Sequence, residues 1–381
     1  MRRSLAVIGM VALLVAACDK EKNVQPPAEL VKFSPSLRVE RAWSIGTGGG
    51  DEALRLALAP AIEGDTAYLA GHDGDVFAVA ADSGRSKWRT DLKTRLSAGP
   101  GVGGGLVVVG SPEGEVIALD AGSGAERWRT ALGGEILARP AASAQRVVVR
   151  TVDGRLVGLD ATSGGQVWSY EQPVPRLSLR GSASPVISGD SVFCAFDNGR
   201  VAALGLADGD LLWSTAAATA SGRTELERLV DIDEAVRVAG NDIFVVGYQG
   251  RVGMLARASG QIWWARDMSS HGGVALDSLA LFVSTADGVV MAIRQRDGSE
   301  IWRQDAMIRR GLTGPAVVGD AVVVGDFEGY LHWMDRQTGQ LVARERAGGD
   351  RMSQAPVSAN GMVFVQSDGG TAYAFRTRPS G

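Results

Sequence analysis

Residues 116–128, with the sequence VIALDAGSGAERW, decide the fold of this chain. The first four residues are apolar, as in a short buried β-strand. The following DAGSG is rich in residues that favour tight turns. Glu126 and Arg127 then begin a second, more polar strand that carries the large aromatic Trp128. A single hairpin of this kind says little about a fold, but this one recurs along the chain.

The upstream landmark of the pattern is an acidic or amide residue followed by glycine, which occurs eight times at a mean spacing of about 42 residues. The copies are Asp73-Gly74, Glu113-Gly114, Asp153-Gly154, Asn198-Gly199, Gln249-Gly250, Asp287-Gly288, Glu328-Gly329 and Asp368-Gly369. Such dipeptides favour the positive φ angles of hairpin turns. A second glycine-containing turn follows the first seven copies. The next landmark is a tryptophan in each of the first six repeats, with Arg344 in the seventh place. These tryptophans are Trp88, Trp128, Trp168, Trp213, Trp264 and Trp302.

Each unit predicts four short antiparallel strands, which form one blade of a β-propeller. The last unit has no fourth strand, whereas residues 39–45 form a strand-like segment with an otherwise unassigned Trp43. We therefore predict an all-β fold, an eight-bladed β-propeller of four-stranded antiparallel blades, in which the N-terminal strand completes the last blade and closes the ring. Ring closure would also hide the strand edges. The tryptophans are expected to fill the space between blades.

The N-terminus has the pattern of a bacterial lipoprotein signal. Two arginines precede an apolar segment, and Val15-Ala16-Ala17-Cys18 resembles the lipobox cleavage site. We predict a signal peptide over residues 1–17, a flexible tether over 18–37 that is lipidated at Cys18, and the propeller over 38–378. A plain secretory signal is the alternative. Multiple acyl chains would give stable membrane anchoring.

Two connections between blades are longer than those that follow Trp88, Trp128 and Trp302. Most connections place the next blade's first proline 12 or 13 residues after the tryptophan, but Pro185 follows Trp168 by 17 residues, and the next connection is longer still. Long loops commonly carry function. The first, residues 170–183, contains Leu177, Leu179 and Arg180, and the second, residues 214–235, contains Asp231 and Asp233. Because both leave consecutive blades, we expect them to be neighbours on one face and to form an interface. Two solvated loops are the alternative.

The lipobox, the eight repeats and the two long loops together resemble the BamB family, the propeller lipoproteins of the outer-membrane β-barrel assembly (BAM) machine. The most specific matches are residues 177–180, 224–233 and 325–333 (GDFEGYLHW). The resemblance implies binding to the periplasmic POTRA domains of BamA, indirect association with other BAM subunits, and support of β-barrel insertion without catalysis. Contact with unfolded clients stays open. The resemblance assigns partner binding to Leu177, Leu179, Arg180, Asp231 and Asp233. The outer membrane is the expected location, although Asp19 leaves retention at the inner membrane open.

An enzyme is the main rival, since the repeats also resemble those of pyrroloquinoline-quinone (PQQ) dehydrogenases. The adjacent cysteine pair typical of those enzymes is missing, and His72, His271 and His332 have no metal-ligand spacing. We therefore expect no catalytic residue, metal or cofactor. A glycan- or peptidoglycan-binding propeller is a third reading. The net charge of −4 gives no reason to expect nucleic-acid binding. Cys194, in an apolar segment, is expected to be a buried, inert thiol.

Overall fold

The computed structural model describes residues 25–49, 56–175, 183–217, 232, 234–248 and 250–379. Within these residues, 32 strands form eight four-stranded sheets. In every sheet, neighbouring strands are antiparallel. The eight-bladed fold predicted from the repeats is confirmed.

The blades are numbered along the chain, and each is given from its innermost to its outermost strand. Blade 1 comprises β2 (Ala61–Glu63), β3 (Thr66–Ala70), β4 (Asp75–Ala80) and β5 (Ser86–Asp91). Blade 2 comprises β6 (Ala98–Gly103), β7 (Leu106–Gly110), β8 (Glu115–Asp120) and β9 (Glu126–Ala131). Blade 3 comprises β10 (Ala141–Ala142), β11 (Arg146–Arg150), β12 (Arg155–Asp160) and β13 (Gln166–Glu171). Blade 4 comprises β14 (Val186–Ser188), β15 (Ser191–Ala195), β16 (Arg200–Gly205) and β17 (Leu211–Ala216).

Blade 5 comprises β18 (Arg237–Ala239), β19 (Asp242–Val246), β20 (Gly250–Ala256) and β21 (Ile262–Met268). Blade 6 comprises β22 (Val274–Leu276), β23 (Ala280–Ser284), β24 (Val290–Arg294) and β25 (Glu300–Gln304). Blade 7 comprises β26 (Ala316–Val318), β27 (Ala321–Gly325), β28 (Tyr330–Asp335) and β29 (Leu341–Arg346). Blade 8 comprises β30 (Val357–Ala359), β31 (Met362–Gln366), β32 (Thr371–Pro379) and β1 (Leu37–Gly46).

The eight innermost strands form a closed ring, because each contacts the innermost strand of the next blade and β30 contacts β2. Strand direction alternates within a blade, so the connections from each outermost strand to the next blade lie on one face of the disc. We call this the loop face. The hairpin turns between the second and third strands of each blade lie on it too, whereas the other two hairpin turns lie on the opposite face.

The chain ends meet in blade 8, as the orphan Trp43 predicted. Strand β1 pairs with β32 in antiparallel register, with Trp43 opposite Ala374 and Gly46 opposite Thr371. Trp43 itself is buried against the neighbouring blade 1. The outer strand of the last blade is therefore contributed by the start of the domain. As a result, the third strand of every blade is paired with a fourth strand and has no exposed edge.

Seven tryptophans join neighbouring blades in the same way. Each indole Nε1 donates a hydrogen bond of 2.8–3.0 Å to a main-chain carbonyl oxygen of the next blade. Trp128, for example, donates to Ala161 O at 2.9 Å. Its ring also lies against Gly164 (φ +72°), where an added Cβ would be 2.6 Å from the ring. The second turn of each repeat therefore needs glycine because the preceding blade's tryptophan rests on it. The predicted packing between blades is confirmed.

Blade 7 departs from the prediction that Arg344 occupies the seventh tryptophan place. The strand register puts Ala343 there, opposite Trp333 on β28. Trp333 packs against Phe375 of blade 8 with ring centroids 6.0 Å apart. The reason is topological: β32 and β1 are joined by no hairpin, so blade 8 offers no glycine turn on which an outer-strand tryptophan could rest.

The eighth hairpin also differs by one residue from its prediction. Gly74, Gly114 and Gly154 have positive φ angles at the turn between the second and third strands of their blades. In blade 8 the equivalent angle belongs to Gly370 (φ +80°), directly before β32. The turn dipeptide is therefore Gly369-Gly370, not Asp368-Gly369.

Candidate functional site

The five residues predicted to bind a partner lie outside the described part of the chain: Leu177, Leu179, Arg180, Asp231 and Asp233. Cys18 and Asp19 lie outside it as well. The structure does describe where the two long loops leave and rejoin the propeller. Those loop ends decide whether the loops can act together.

The ends of both loops pack into one hydrophobic cluster between blades 4 and 5. Ala183 closes the first loop, Ala217 and Ile232 belong to the second, and Val236 directly follows the second. All four are at most 6% exposed, and they contact residues such as Phe193 in the same cluster. Both loops also leave outermost strands, β13 and β17, and therefore emerge on the loop face. The end of the first loop and both ends of the second therefore share a common apolar base.

The start of the first loop is held by hydrogen bonds from two turns of the loop face. Gln172 N donates to Gly154 O at 3.0 Å. The Asn198 amide donates to Gln172 Oε1 at 3.0 Å, which links the loop to blade 4. Deeper between these blades, Arg150 of β11 forms a buried ion pair with Asp197. These contacts fix the position at which residues 173–175 leave the surface.

Three charged residues line the central channel beside the second loop. Arg139 precedes β10 and reaches across to Ala59 O of blade 1 at 3.4 Å. Arg237 of β18 donates to Val274 O of blade 6 at 2.9 Å. Burial raises the pKa of Glu234, and the nearby Arg237 and Arg139 oppose that rise. All three side chains keep some contact with solvent.

Sequence reasoning missed these channel charges. Arg139, Glu234 and Arg237 are separated by up to about a hundred residues and belong to blades that the ring brings together around its axis. The local repeat pattern gives no signal for them, apart from their position directly before or within an innermost strand.

The described residues contain no cluster of three or more His, Cys, Asp or Glu side chains that could hold a metal ion. His72 Nδ1 lies 2.7 Å from Leu96 O, and His271 stacks on Tyr248. Cys194 is fully buried, as predicted, and burial raises the pKa of its thiol to about 12. Among the described residues, no helix has the length and apolar character needed to cross a membrane.

Comparison with known proteins identifies the family. A family model described as outer membrane protein assembly factor BamB matches residues 72–304 and 286–378. The BamB protein of Pseudomonas aeruginosa is 43% identical over 373 residues, which covers 98% of this chain and 98% of that protein. That of Alkalilimnicola ehrlichii is 45% identical over 375 residues, covering 98% of this chain and 97% of that protein.

Solved structures agree with the sequence relatives. The crystal structure of BamB from Moraxella catarrhalis matches with a TM-score of 0.81 and 28% identity, covering 89% of this chain and all of that one. A quinohemoprotein alcohol dehydrogenase from Comamonas testosteroni matches with a TM-score of 0.66 but only 14% identity, covering 88% of this chain and 76% of that one, which shows the fold alone. The prediction that the chain is not an enzyme is confirmed by its near relatives. This chain belongs to the BamB family of outer membrane protein assembly factors.

Proposed function

We propose that this chain is a non-enzymatic scaffold subunit of the outer-membrane β-barrel assembly machine and that its two long loops bind the periplasmic POTRA domains of BamA. The single observation that carries this proposal is the shared base of the loops. Ala183 of the first loop packs with Ala217 and Ile232 of the second and with Val236, which directly follows the second. The second loop is the longest connection between blades, and only the connection from β1 to β2 (residues 47–60) is as long as the first, so these loops are among the largest departures from a regular ring.

Within the loops, the binding residues are Leu177, Leu179, Arg180, Asp231 and Asp233. Leucines can fill an apolar pocket on the partner, and Arg180 can pair with a carboxylate at the rim of that contact. This residue assignment comes from the sequence resemblance. A rigid common base supports it, because two loops on one base lose less entropy when they bind a single partner.

The proposed location is the periplasmic side of the outer membrane, with Cys18 carrying the lipid anchor. The family's outer-membrane role supports this location, and the small residues before Cys18 support the anchor. Association with other BAM subunits would then follow through BamA.

The test is co-purification of BamA with the tagged, natively processed protein from detergent-solubilised envelopes. Arg180→Glu and the double substitution Leu177→Ala with Leu179→Ala should each lower BamA recovery at least tenfold. Arg95→Glu is the matched control, because Arg95 is an exposed arginine on the short connection after blade 1, also on the loop face. Unchanged BamA recovery with both loop variants, or an equal loss with Arg95→Glu, would show that the loops are not the binding surface.

A further inference from the structure

The N-terminal segment before β1 lies against blade 7 and the connection that enters it, residues 305–315. Ala28 N donates to Ile308 O at 3.0 Å on the loop face, and Ser36 N donates to Val342 O at 3.0 Å. Arg309 Nε also donates to Pro26 O at 2.8 Å. We call residues 25–36 the strap. It runs from the loop face along the rim of blade 7 into β1, within residues 18–37, for which the sequence predicts a flexible tether.

Two arginines of blade 7 and its entry loop hold the strap by its carbonyl oxygens. Arg310 Nη1 donates to Ala28 O at 3.1 Å, and Arg344 Nη1 donates to Val31 O at 3.0 Å. The Arg344 guanidinium also lies over the Phe33 ring, 5.2 Å from its centroid. In these arginine contacts the strap supplies carbonyl acceptors and one aromatic ring, and the two guanidinium groups supply the donors.

The arginines are oriented by the GDFEGYLHW segment, residues 325–333. Arg310 Nε donates to Asp326 Oδ2 at 2.8 Å, and Arg344 Nε donates to His332 Nδ1 at 3.1 Å. Because a guanidinium can only donate, Nδ1 is the acceptor, so His332 carries its proton on Nε2. His332 Nε2 therefore donates to Asp326 Oδ2, and these two atoms are 3.0 Å apart. Asp326 and His332 are both completely buried.

Blade 6 offers a comparison, because its outermost strand has an arginine at the position equivalent to Arg344 but lies away from the strap. Arg303 follows Trp302 in β25 as Arg344 follows Ala343 in β29. Its cross-strand partner is Met291 in place of His332. Arg303 pairs with Glu300 at 3.6 Å and touches the Met291 sulfur at 3.9 Å. The buried His332 and Asp326 are therefore not a requirement of the repeat, and they coincide with the blade whose rim the strap covers.

We propose that Asp326, His332, Arg310 and Arg344 form a clamp whose role is to fix where the lipid tether leaves the propeller, and that this turns the loop face toward the membrane. The strap ends at Gln25 near Ile308, on the loop face. Only residues 19–24 separate it from Cys18, and the seven residue steps from Gln25 to Cys18 span at most about 25 Å. An unclamped segment would add the twelve strap residues to this reach. The orientation rests on the proposed lipidation of Cys18, whereas the clamp does not.

The clamp is tested by hydrogen exchange of the full processed protein. The Ala28 and Ser36 amides should be protected in the wild type, and Arg344→Ala should raise their exchange at least tenfold. Arg303→Ala is the matched control and should change neither amide. Phe33→Ala, which removes only a strap side chain, should loosen the strap without disturbing blade 7. Arg344→Lys should restore protection only in part, because one ammonium cannot replace the planar fork. Equal exchange of the two amides in the wild type, in Arg344→Ala and in Phe33→Ala would overturn the clamp.

The orientation is tested by energy transfer from a dye on the protein to a headgroup acceptor in phosphatidylethanolamine–phosphatidylglycerol vesicles that carry the lipidated protein. A dye at Glu113→Cys reports the loop face, and one at Ala144→Cys reports the opposite face; the native Cys194 is buried. Transfer should be greater from position 113, and Arg344→Ala should reduce the difference. Equal transfer in otherwise wild-type protein would refute the orientation. Mass spectrometry of Cys18 separates this outcome from absent lipidation, which would instead remove the anchor from the proposed function.

Discussion

Replacing Trp128 with alanine tests the blade-to-blade contact on which the ring depends. The side chain is 8% exposed and lies between blades 2 and 3. Burying an aromatic side chain of about 200 Å² at about 25 cal/mol per Å² corresponds to about 5 kcal/mol. Alanine keeps a small part of that burial, while the lost hydrogen bond to Ala161 O adds about 1 kcal/mol. We therefore expect Trp128→Ala to lower the free energy of unfolding by about 5 kcal/mol, the upper end of the range of about 3–5 kcal/mol that is usual for a buried large aromatic.

Trp263→Ala is the matched control within the same fold. Trp263 is 53% exposed, and it is the extra residue of a β-bulge on the outer strand of blade 5. Because it rests on no turn glycine, its removal should cost less than about 1 kcal/mol.

The assay is equilibrium urea unfolding followed by far-UV circular dichroism, since removing a tryptophan alters the fluorescence signal itself. The comparison of unfolding free energies requires similar m-values in all three proteins. A loss below about 1 kcal/mol for Trp128→Ala, or equal losses for the two variants, would refute the idea that these tryptophans hold the blades together.

Two further predictions concern the closure of the ring and the clamp. Trp43→Ala removes the Nε1 hydrogen bond to Ala81 O and the ring that rests on Gly84. Amide exchange in β1 and β32 should therefore rise well above that in β12. Uniform exchange across these three strands would contradict ring closure at blade 8. Burial lowers the pKa of His332, so the folded state resists protonation that the unfolded state accepts near pH 6.5. The free energy of unfolding should therefore fall as the pH drops below about 6.5, by up to about 1.4 kcal/mol per pH unit for this one group. His332→Gln keeps a donor and an acceptor but cannot titrate, so an identical pH dependence in this variant would exclude His332 as the source.

The architecture could be predicted from the sequence because residues close together in the chain determine each hairpin. Each glycine turn and each tryptophan belongs to a hairpin only a few residues long, and eight repetitions make the blade count secure even though any single hairpin would be ambiguous. The unassigned Trp43 predicted ring closure for the same reason, as it was a repeat landmark without a repeat. The two long loops were predicted from their lengths, whereas the five binding residues are assigned by resemblance, because the length of a loop does not specify which of its side chains meet a partner.

Tertiary structure alone decided the features that join distant parts of the chain. Ala343 replaces a tryptophan because its neighbour in space is the chain's own beginning, where no hairpin exists to receive an aromatic ring. Arg139, Glu234 and Arg237 meet only because the ring brings their blades around one axis. The bond from Arg344 to Val31 joins residues 313 positions apart. A repeat encodes how each blade folds and packs on the next, but contacts of such separation exist only after the ring has closed.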